Sequence, residues 1–274
     1  MAYRDILFHA FEGEAGDTVQ KTALALAGKM GAQVTGVSVV DNTPIPAYVV
    51  PYLPTNLDQN YLEEARATAK SLRSRVEDAG RAADIHVEWR YVEGDIRGMI
   101  NLHSRYTDLV VLGQGAGEDV PLGPALNLAD DLILSTAKPI LSVPWHGDFT
   151  NIGTNVLVAW NGSPQSSRAV HDALPILTEA QSVKLIEVGP ENIHHIPGAE
   201  ITAHLTRHGV NVEADYVVEG SNSTGEAILG YASEMNADLI VCGGWGHSRI
   251  VETVMGGVTR HLLRNMPVPI LMSH

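Results

Sequence analysis

The sequence predicts an α/β protein built from two tandem doubly wound open sheets, each with five mostly parallel strands and helices on both faces. Three observations predict this fold. Short β-branched runs alternate with amphipathic helical patterns along the chain. Some of these runs, such as residues 239–242, are apolar throughout, which is typical of parallel strands covered on both faces. The pattern also repeats within the 274 residues, and such repetition indicates a duplicated unit.

The repeat is clearest in the second part of each copy. The run DLVVLG at 108–113 resembles DLIVCG at 238–243. The same alignment, with position 108 opposite position 238, relates KPIL at 138–141 to VPIL at 268–271 without a gap. We therefore expect equivalent strands at these positions of the two copies.

The beginning of the repeat has a larger offset. Residues 5–8 match residues 155–158, so the second copy is about twenty residues shorter between its first and fourth strands. We expect one domain over residues 1–147 and a second over residues 153–274.

The order of elements follows from the apolar runs. A helix is expected at 57–79, and amphipathic stretches at 166–177 and 224–235 are further helices. Residues 42–54 contain four prolines, which exclude a regular helix there; this segment is either a loop that covers its own domain or a lid that contacts the other copy. The expected strands lie near 5–11, 33–40, 85–92, 108–113 and 139–143 in the first copy, and near 154–160, 182–188, 211–218, 238–243 and 268–273 in the second.

The overall composition excludes several classes of function. The net charge of −14 repels a phosphate backbone, so we expect no nucleic-acid partner. No apolar run reaches the length of a membrane span, and the first residues do not resemble the apolar region of a signal peptide. We therefore expect a cytoplasmic protein without a membrane partner. The one cysteine, Cys242, excludes an intrachain disulfide, and we expect no metal site.

The most informative motif is a glycine pattern in the second copy. Gly243 ends a strand, Gly246 follows after two residues, and Gly256 after nine more. Gly256 and Gly257 open the last helix, whose N–H groups can bind an anion, and a glycine lets the backbone approach a ligand closely. The spacing alone fits turn and capping glycines equally well. The expected apolar face of this helix consists of Val258, Leu262 and Leu263.

Taken together, several motifs resemble the universal stress protein family. They are the spacing G-x2-G-x9-G, the terminal run PVPIL at 267–271, the run VLVAWNGS at 156–163 and the run ADLIV at 237–241. The similarity covers both copies, so nearly the whole chain resembles a tandem universal stress protein. Family members with the full glycine pattern bind ATP or a related adenine nucleotide, and the resemblance implies the same ligand for the second copy.

The resemblance also implies which residues would bind the nucleotide. Trp160 and Asn161 would lie beside adenine and ribose, and Val188 would contact adenine. Asn161 stands where the family usually has aspartate, and its amide can still hydrogen-bond a ribose hydroxyl. The residues that would line the ribose and phosphates are Gly243, Gly246, Gly256, Gly257 and Val258.

Gly257 departs from the family pattern, which has serine or threonine at this position. The loss of one neutral hydrogen bond, about 0.5–1.5 kcal/mol, would lower the affinity by about tenfold or less. Thr259 could supply a hydroxyl one step further along. Arg249 either neutralises a phosphate or is a solvated loop charge.

The first copy has lost most of this pattern. In the alignment of position 108 with position 238, Gly246 and Gly256 correspond to Ala116 and Leu126. The carboxylates of Glu118 and Asp119 would repel phosphates. We therefore expect no triphosphate site there, and a structural role in which the two copies pair. The resemblance implies pairing through the last strands, at 139–143 and 268–273. Two further differences also argue against a triphosphate site in the first copy: Asn127 replaces Gly257, and Phe11 with Glu12 replaces Asn161 with Gly162.

Three functions are compatible with this fold. The glycine pattern favours a non-enzymatic nucleotide-binding stress protein that acts as a sensor or regulator. A protein-interaction module without a nucleotide is the alternative. An enzyme is not expected, because the sequence contains no recognisable nucleophile–base pair, no G-x-S-x-G motif and no carboxylate cluster for Mg²⁺. The family and the open sheet edge favour a homodimer.

Overall fold

The computed structural model describes residues 2–41, 57–115, 128–189, 198–218, 223–244 and 257–274. In these ranges the strands are β1 Asp5–His9, β2 Gln33–Val40, β3 Val87–Glu93, β4 Leu109–Gly113, β5 Ile140–Val143, β6 Asn155–Trp160, β7 Ser182–Gly189, β8 Val212–Val218, β9 Leu239–Gly243 and β10 Ile270–Ser273. The helices are α1 Glu14–Met30, α2 Leu57–Ala82, α3 Ile96–Ser104, α4 Leu128–Leu132, α5 Pro164–Leu177, α6 Ala199–Arg207, α7 Thr224–Glu234 and α8 Val258–Asn265.

The strands form one ten-stranded sheet in the order β3-β2-β1-β4-β5-β10-β9-β6-β7-β8. All neighbours within each half are parallel, and β5 pairs with β10 in the antiparallel sense. The predicted fold class is therefore confirmed, and the two five-stranded sheets are joined edge to edge. The pairing expected of the last strands is present.

The register at the junction relates the halves by an approximate two-fold axis. Leu141 pairs directly with Leu271, which is its equivalent in the sequence repeat, and both side chains are fully buried. The antiparallel pairing of one residue with its own repeat equivalent places the axis between these two leucines. Because both last strands are used inside the chain, a homodimer, which stays a prediction, would need a different surface.

Two apolar layers cover the faces of the sheet, and each layer contains residues of both halves. One layer packs α1, α2, α5 and α6 onto the sheet and includes Phe8 and Val158. The other packs α3, α4, α7 and α8 onto the opposite face and includes Leu112 and Ile240. Alternate side chains of a strand point to opposite faces, so each buried strand supplies both layers.

The repeated aspartates Asp108 and Asp238, just before β4 and β9, fix the starts of β1 and β6. The Asp238 carboxylate accepts hydrogen bonds from the backbone N–H groups of Gly153, Thr154 and Asn155 at 2.7–3.1 Å. Asp108 accepts two equivalent bonds, at 2.7 and 3.1 Å, from the N–H groups that precede and begin β1. Each carboxylate thus fixes the start of the first strand of its half beside the fourth.

Three expectations from the sequence concern a membrane span, a metal site and the proline-rich segment. No helix among them has the length and apolar character needed to cross a membrane. No group of three or more histidine, cysteine or acidic side chains among them could hold a metal. The proline-rich segment 42–54 lies outside the described residues, and neither hypothesis for it is tested.

Candidate functional site

A cavity of about 400 Å³ opens at the carboxyl edge of the second half, and we call it the second-half cavity. Its volume is within the usual range for small-molecule sites. Buried apolar side chains form its base, and Asn161, Ser163 and Thr224 are the more exposed of its polar lining residues. The lining residues are Ala159, Trp160, Asn161, Ser163, Ile186, Val188, Thr224, Ile228, Cys242, Gly243, Val258, Thr259 and Leu262.

Three helices begin at this cavity. Ser163 caps α5, and its side chain accepts a hydrogen bond from the N–H of Ser166. Thr224 is the first residue of α7, which begins with a capping box. Val258 is the first residue of α8, which Gly257 caps without a side-chain hydrogen bond. Helix N-termini carry partial positive charge and attract anions.

The cavity lining is free of carboxylates. Within the described part of the chain, no acidic or basic side chain lines it, although the protein has a net charge of −14. Among the described lining residues, the groups that can attract an anion are therefore backbone N–H groups, while the Glu226 carboxylate in the first turn of α7 is held in the capping box of that helix.

Most of the described residues predicted for the nucleotide lie around this cavity. Trp160, Asn161, Val188, Gly243, Val258 and Thr259 line it, and Gly257 caps the helix that begins there. The other three predicted residues, Gly246, Arg249 and Gly256, lie outside the described residues. Their roles, and those of the lining residues, stay predictions.

Trp160 forms a side wall of the cavity rather than its base. Its partly buried side chain packs against the layer under α1 and α5, whereas Ala159 and Ile186 belong to the opposite layer. Trp160 also lines a second cavity, of about 600 Å³, on the side of α6. Of Ala159 and Trp160, the last two residues of β6, the small Ala159 faces the base of the cavity and leaves room there.

The expected apolar face of the last helix was wrong at one position. Val258 is 38% exposed, whereas Thr259 is buried together with Leu262 and Leu263. Successive helical residues are about 100° apart, so positions 259, 262 and 263 share the face that packs on the core. Val258 lies at the edge of that face and lines the cavity instead.

Gly243 has a structural reason to be glycine that the sequence motif did not indicate. A Cβ atom at this position would lie 2.5 Å from the backbone nitrogen of Ser166 and 2.8 Å from the carbonyl carbon of Gln165. The end of β9 thus contacts the first turn of α5 directly. This contact holds the N-terminus of α5 at the cavity.

Sequence reasoning missed much of the apolar base of the cavity. Ala159 and Ile186 are cross-strand neighbours on β6 and β7. Because side chains alternate along a strand, the position of Ala159 on the face opposite Trp160 could have indicated this pair. Cys242 was interpreted only as a buried strand residue, and it is 5% exposed. Burial raises the pKa of its thiol to about 12, so the thiol is protonated and unreactive at neutral pH. The other lining residues that were not predicted are Ser163, Thr224, Ile228 and Leu262.

Aromatic side chains occupy the corresponding place in the first half. When residue 5 is aligned with residue 155, His9 replaces Ala159 and Phe11 replaces Asn161. The two rings stack with centroids 5.3 Å apart, and Phe11 lies 3.1 Å from the position of a Cβ at Gly113. Burial lowers the pKa of His9 to about 4, so it is a neutral part of the packing. The expected obstacles Ala116, Glu118, Asp119, Leu126 and Asn127 lie outside the described residues.

Comparisons with known proteins agree with this architecture. The model of the universal stress protein family matches residues 154–274. A universal stress protein of Synechocystis sp. is 29% identical over 171 residues, which are 60% of this chain and 57% of that protein. The match therefore spans little more than half the length of that relative.

Solved structures extend the likeness to the first half. A universal stress protein from Archaeoglobus fulgidus superimposes with a TM-score of 0.77 at 19% identity, over 97% of this chain and 94% of that one. A protein from Pseudomonas aeruginosa gives a TM-score of 0.60 at 14% identity, over 98% and 92%. At these identities the likeness concerns the fold. Residues 154–274 therefore match the universal stress protein family, and the first half repeats the same fold.

Proposed function

We propose that the second half binds ATP or a related adenine nucleotide in the second-half cavity. The observation that carries this proposal is the convergence of three helix N-termini on a cavity with an apolar base and no charged lining side chain in the described residues. A nucleotide has the matching two parts, because the faces of its base are flat and apolar and its phosphates are anionic.

The base of the nucleotide fits the apolar end of the cavity. Ile186, Val188 and Ile228 line this end together with Cys242. Burial of apolar surface contributes about 25 cal/mol per Å², so contacts of this kind supply affinity without ionised groups. Asn161, at the rim, has amide N–H donors suited to a ribose hydroxyl.

The phosphates fit the start of α8. Gly257 provides no side-chain cap, and the N–H groups of the first turn of a helix have no intrahelical acceptors. A phosphate can accept hydrogen bonds from such groups. Thr259, which lines the cavity one residue beyond Val258, places its hydroxyl in the same turn.

The binding is proposed to serve sensing or regulation rather than catalysis. The only titratable side chain among the described lining residues is the Cys242 thiol, and its pKa is raised to about 12. No general base is therefore present on this part of the lining to activate its serine and threonine hydroxyls. The protein would act through the difference between its free and nucleotide-bound states.

The experiment is an ATP titration by calorimetry with two aspartate variants. Val258→Asp places a carboxylate beside the proposed phosphates, while aspartate in the first turn of a helix favours the helix itself. Two like charges at 4 Å repel by about 1–4 kcal/mol in water or near a protein surface, so the affinity should fall at least about fivefold. Val218→Asp, at a 50% exposed position of β8, is the matched control and should bind like the wild type.

Two results would contradict the proposal. One is the absence of binding by the wild-type protein at millimolar ATP, which would favour an interaction module without a nucleotide. The other is an equal affinity of Val258→Asp and Val218→Asp, which would place the nucleotide elsewhere on the protein.

A further inference from the structure

We infer that Gln114, in the first half, is a positioning residue for the nucleotide site of the second half, because it holds the far end of α8. The inference rests on the proposed function for its binding readout. It gives the first half a part in the site that its own degenerate motif does not indicate.

Gln114 makes two hydrogen bonds to the C-terminal turn of α8. Its side-chain Nε2 donates to the carbonyl oxygen of Leu263 at 3.0 Å and to that of Arg264 at 2.9 Å. The last four carbonyl groups of a helix have no intrahelical donor, and α8 ends at Asn265. A single amide of the first half therefore satisfies two of the four.

The backbone of Gln114 is itself fixed to the first half. Its N–H donates to the carbonyl oxygen of Val143, at the end of β5, at 2.7 Å. Its own carbonyl accepts a hydrogen bond from the Trp145 indole at 2.7 Å. Gln114 thus links α8 rigidly to the end of the strand that joins the two halves.

The pseudo-two-fold axis shows that this link exists in one direction only. Gly244 is the equivalent of Gln114, and Ile133 is the equivalent of Leu263. A Cβ atom at Gly244 would lie 2.2 Å from the Ile133 side chain. The contact in the first half that corresponds to Gln114 and Leu263 is therefore a packing contact between a glycine and an isoleucine, without a side-chain hydrogen bond from residue 244. Where the first half contacts α8, a glutamine donates instead.

The position of α8 bears directly on the cavity. The helix has 8 residues and is about 12 Å long at 1.5 Å per residue, with Val258 and Thr259 at the cavity and Leu263 and Arg264 at Gln114. Helices this short are marginal without outside contacts. Loss of the Gln114 bonds should therefore lower the population of ordered α8, and the apparent affinity falls by the same fraction.

Two substitutions remove the donor while keeping the shape of the side chain. Gln114→Glu sets a carboxylate against the two carbonyl groups, and Gln114→Met removes the amide without adding charge. Gln114→Lys restores N–H donors. Gln181→Glu is the matched control, because Gln181 is an exposed residue at the opposite edge of the second half.

The measurements are hydrogen exchange of the α8 amides, ATP affinity by calorimetry and the urea midpoint of each variant. Two neutral hydrogen bonds correspond to roughly a five- to hundredfold change in an equilibrium constant. We expect Gln114→Met and Gln114→Glu to speed exchange in α8 by about that factor and to weaken ATP binding by up to that factor, in proportion to the population of ordered α8 that is lost. Gln114→Lys should recover most of the affinity, and Gln181→Glu should match the wild type.

The outcomes separate the two proposals. Unchanged α8 exchange or unchanged ATP affinity in Gln114→Met, with the wild type binding ATP, overturns the positioning role alone. The positioning role is also overturned if the loss of global stability, measured by urea titration, accounts for the whole change in α8 hydrogen exchange, because the residue would then be merely structural. A wild-type protein that binds no ATP overturns the proposed function and the positioning role with it.

Discussion

The close contact between Gly243 and α5 leads to a prediction about a single methyl group. In Gly243→Ala the new Cβ would lie 2.5 Å from the backbone nitrogen of Ser166, about 0.9 Å inside the ordinary contact distance of 3.4 Å. Backbone cannot rotate away as a side chain can, so the first turn of α5 has to move. Overpacking in well-packed regions costs about 1–3 kcal/mol, and we expect the upper part of this range. The melting temperature should fall by about 5–10 °C, at 2–4 °C per kcal/mol for a protein of this size.

Gly230→Ala is the matched control, because the same methyl group meets no atom within 4 Å there. Gly230 lies inside α7, where alanine is favoured over glycine by about 0.5–1 kcal/mol. The two variants should therefore change the free energy of unfolding, measured by urea titration, in opposite directions. Equal tolerance of both alanines would refute the reasoning that β9 and α5 meet at backbone distance. The cavity rim moves with α5, so ATP affinity should also fall in Gly243→Ala alone.

Three further predictions concern single side chains. Burial holds the pKa of His9 near 4, below its ordinary 6.5, so its stabilising contribution is present above pH 6.5 and is lost as the pH falls towards 4. Over this window the free energy of unfolding of His9→Leu should vary by roughly 3 kcal/mol less than that of the wild type. Identical pH profiles of the two proteins would contradict this. Cys242 should react with a chromogenic disulfide reagent in urea but not in the native protein at pH 8, and rapid native labelling would disprove its burial. Asp238→Ala should lower the free energy of unfolding more than Asp108→Ala, because Asp238 accepts bonds from three N–H groups and Asp108 from two; a larger loss in Asp108→Ala would reverse the ranking of the two carboxylates.

The strands were predictable from sequence because their physical signals are local and repeated. The apolar runs placed all ten strands within about two residues of their observed bounds. The repeat made Leu141 and Leu271 equivalent, and the structure pairs these two residues with each other. The resemblance to universal stress proteins indicated which strands would meet. A continuous sheet through both halves then follows from that one antiparallel pair.

The cavity was predictable only at its rim. Residues in the glycine motif and after β6 could be named from the pattern, whereas Ile186 and Ile228 enter the cavity through packing between elements distant in sequence. Val258 was assigned to the buried face of α8 but lies at the edge of that face, because such a short helix offers little periodicity to define it. The bonds from Gln114 to α8 connect distant parts of the chain. They arise from the junction of the halves, which no local pattern encodes.

The most direct test of the account is the number of nucleotides that one chain binds and the half that binds them. Calorimetric titration with ATP should give one site per chain in the wild type and in Val218→Asp, and a strongly weakened site in Val258→Asp. The stacked rings of His9 and Phe11 should keep the first half empty. Two equivalent sites per chain, or one site that Val258→Asp leaves intact, would contradict the central claim that the second half alone holds the nucleotide.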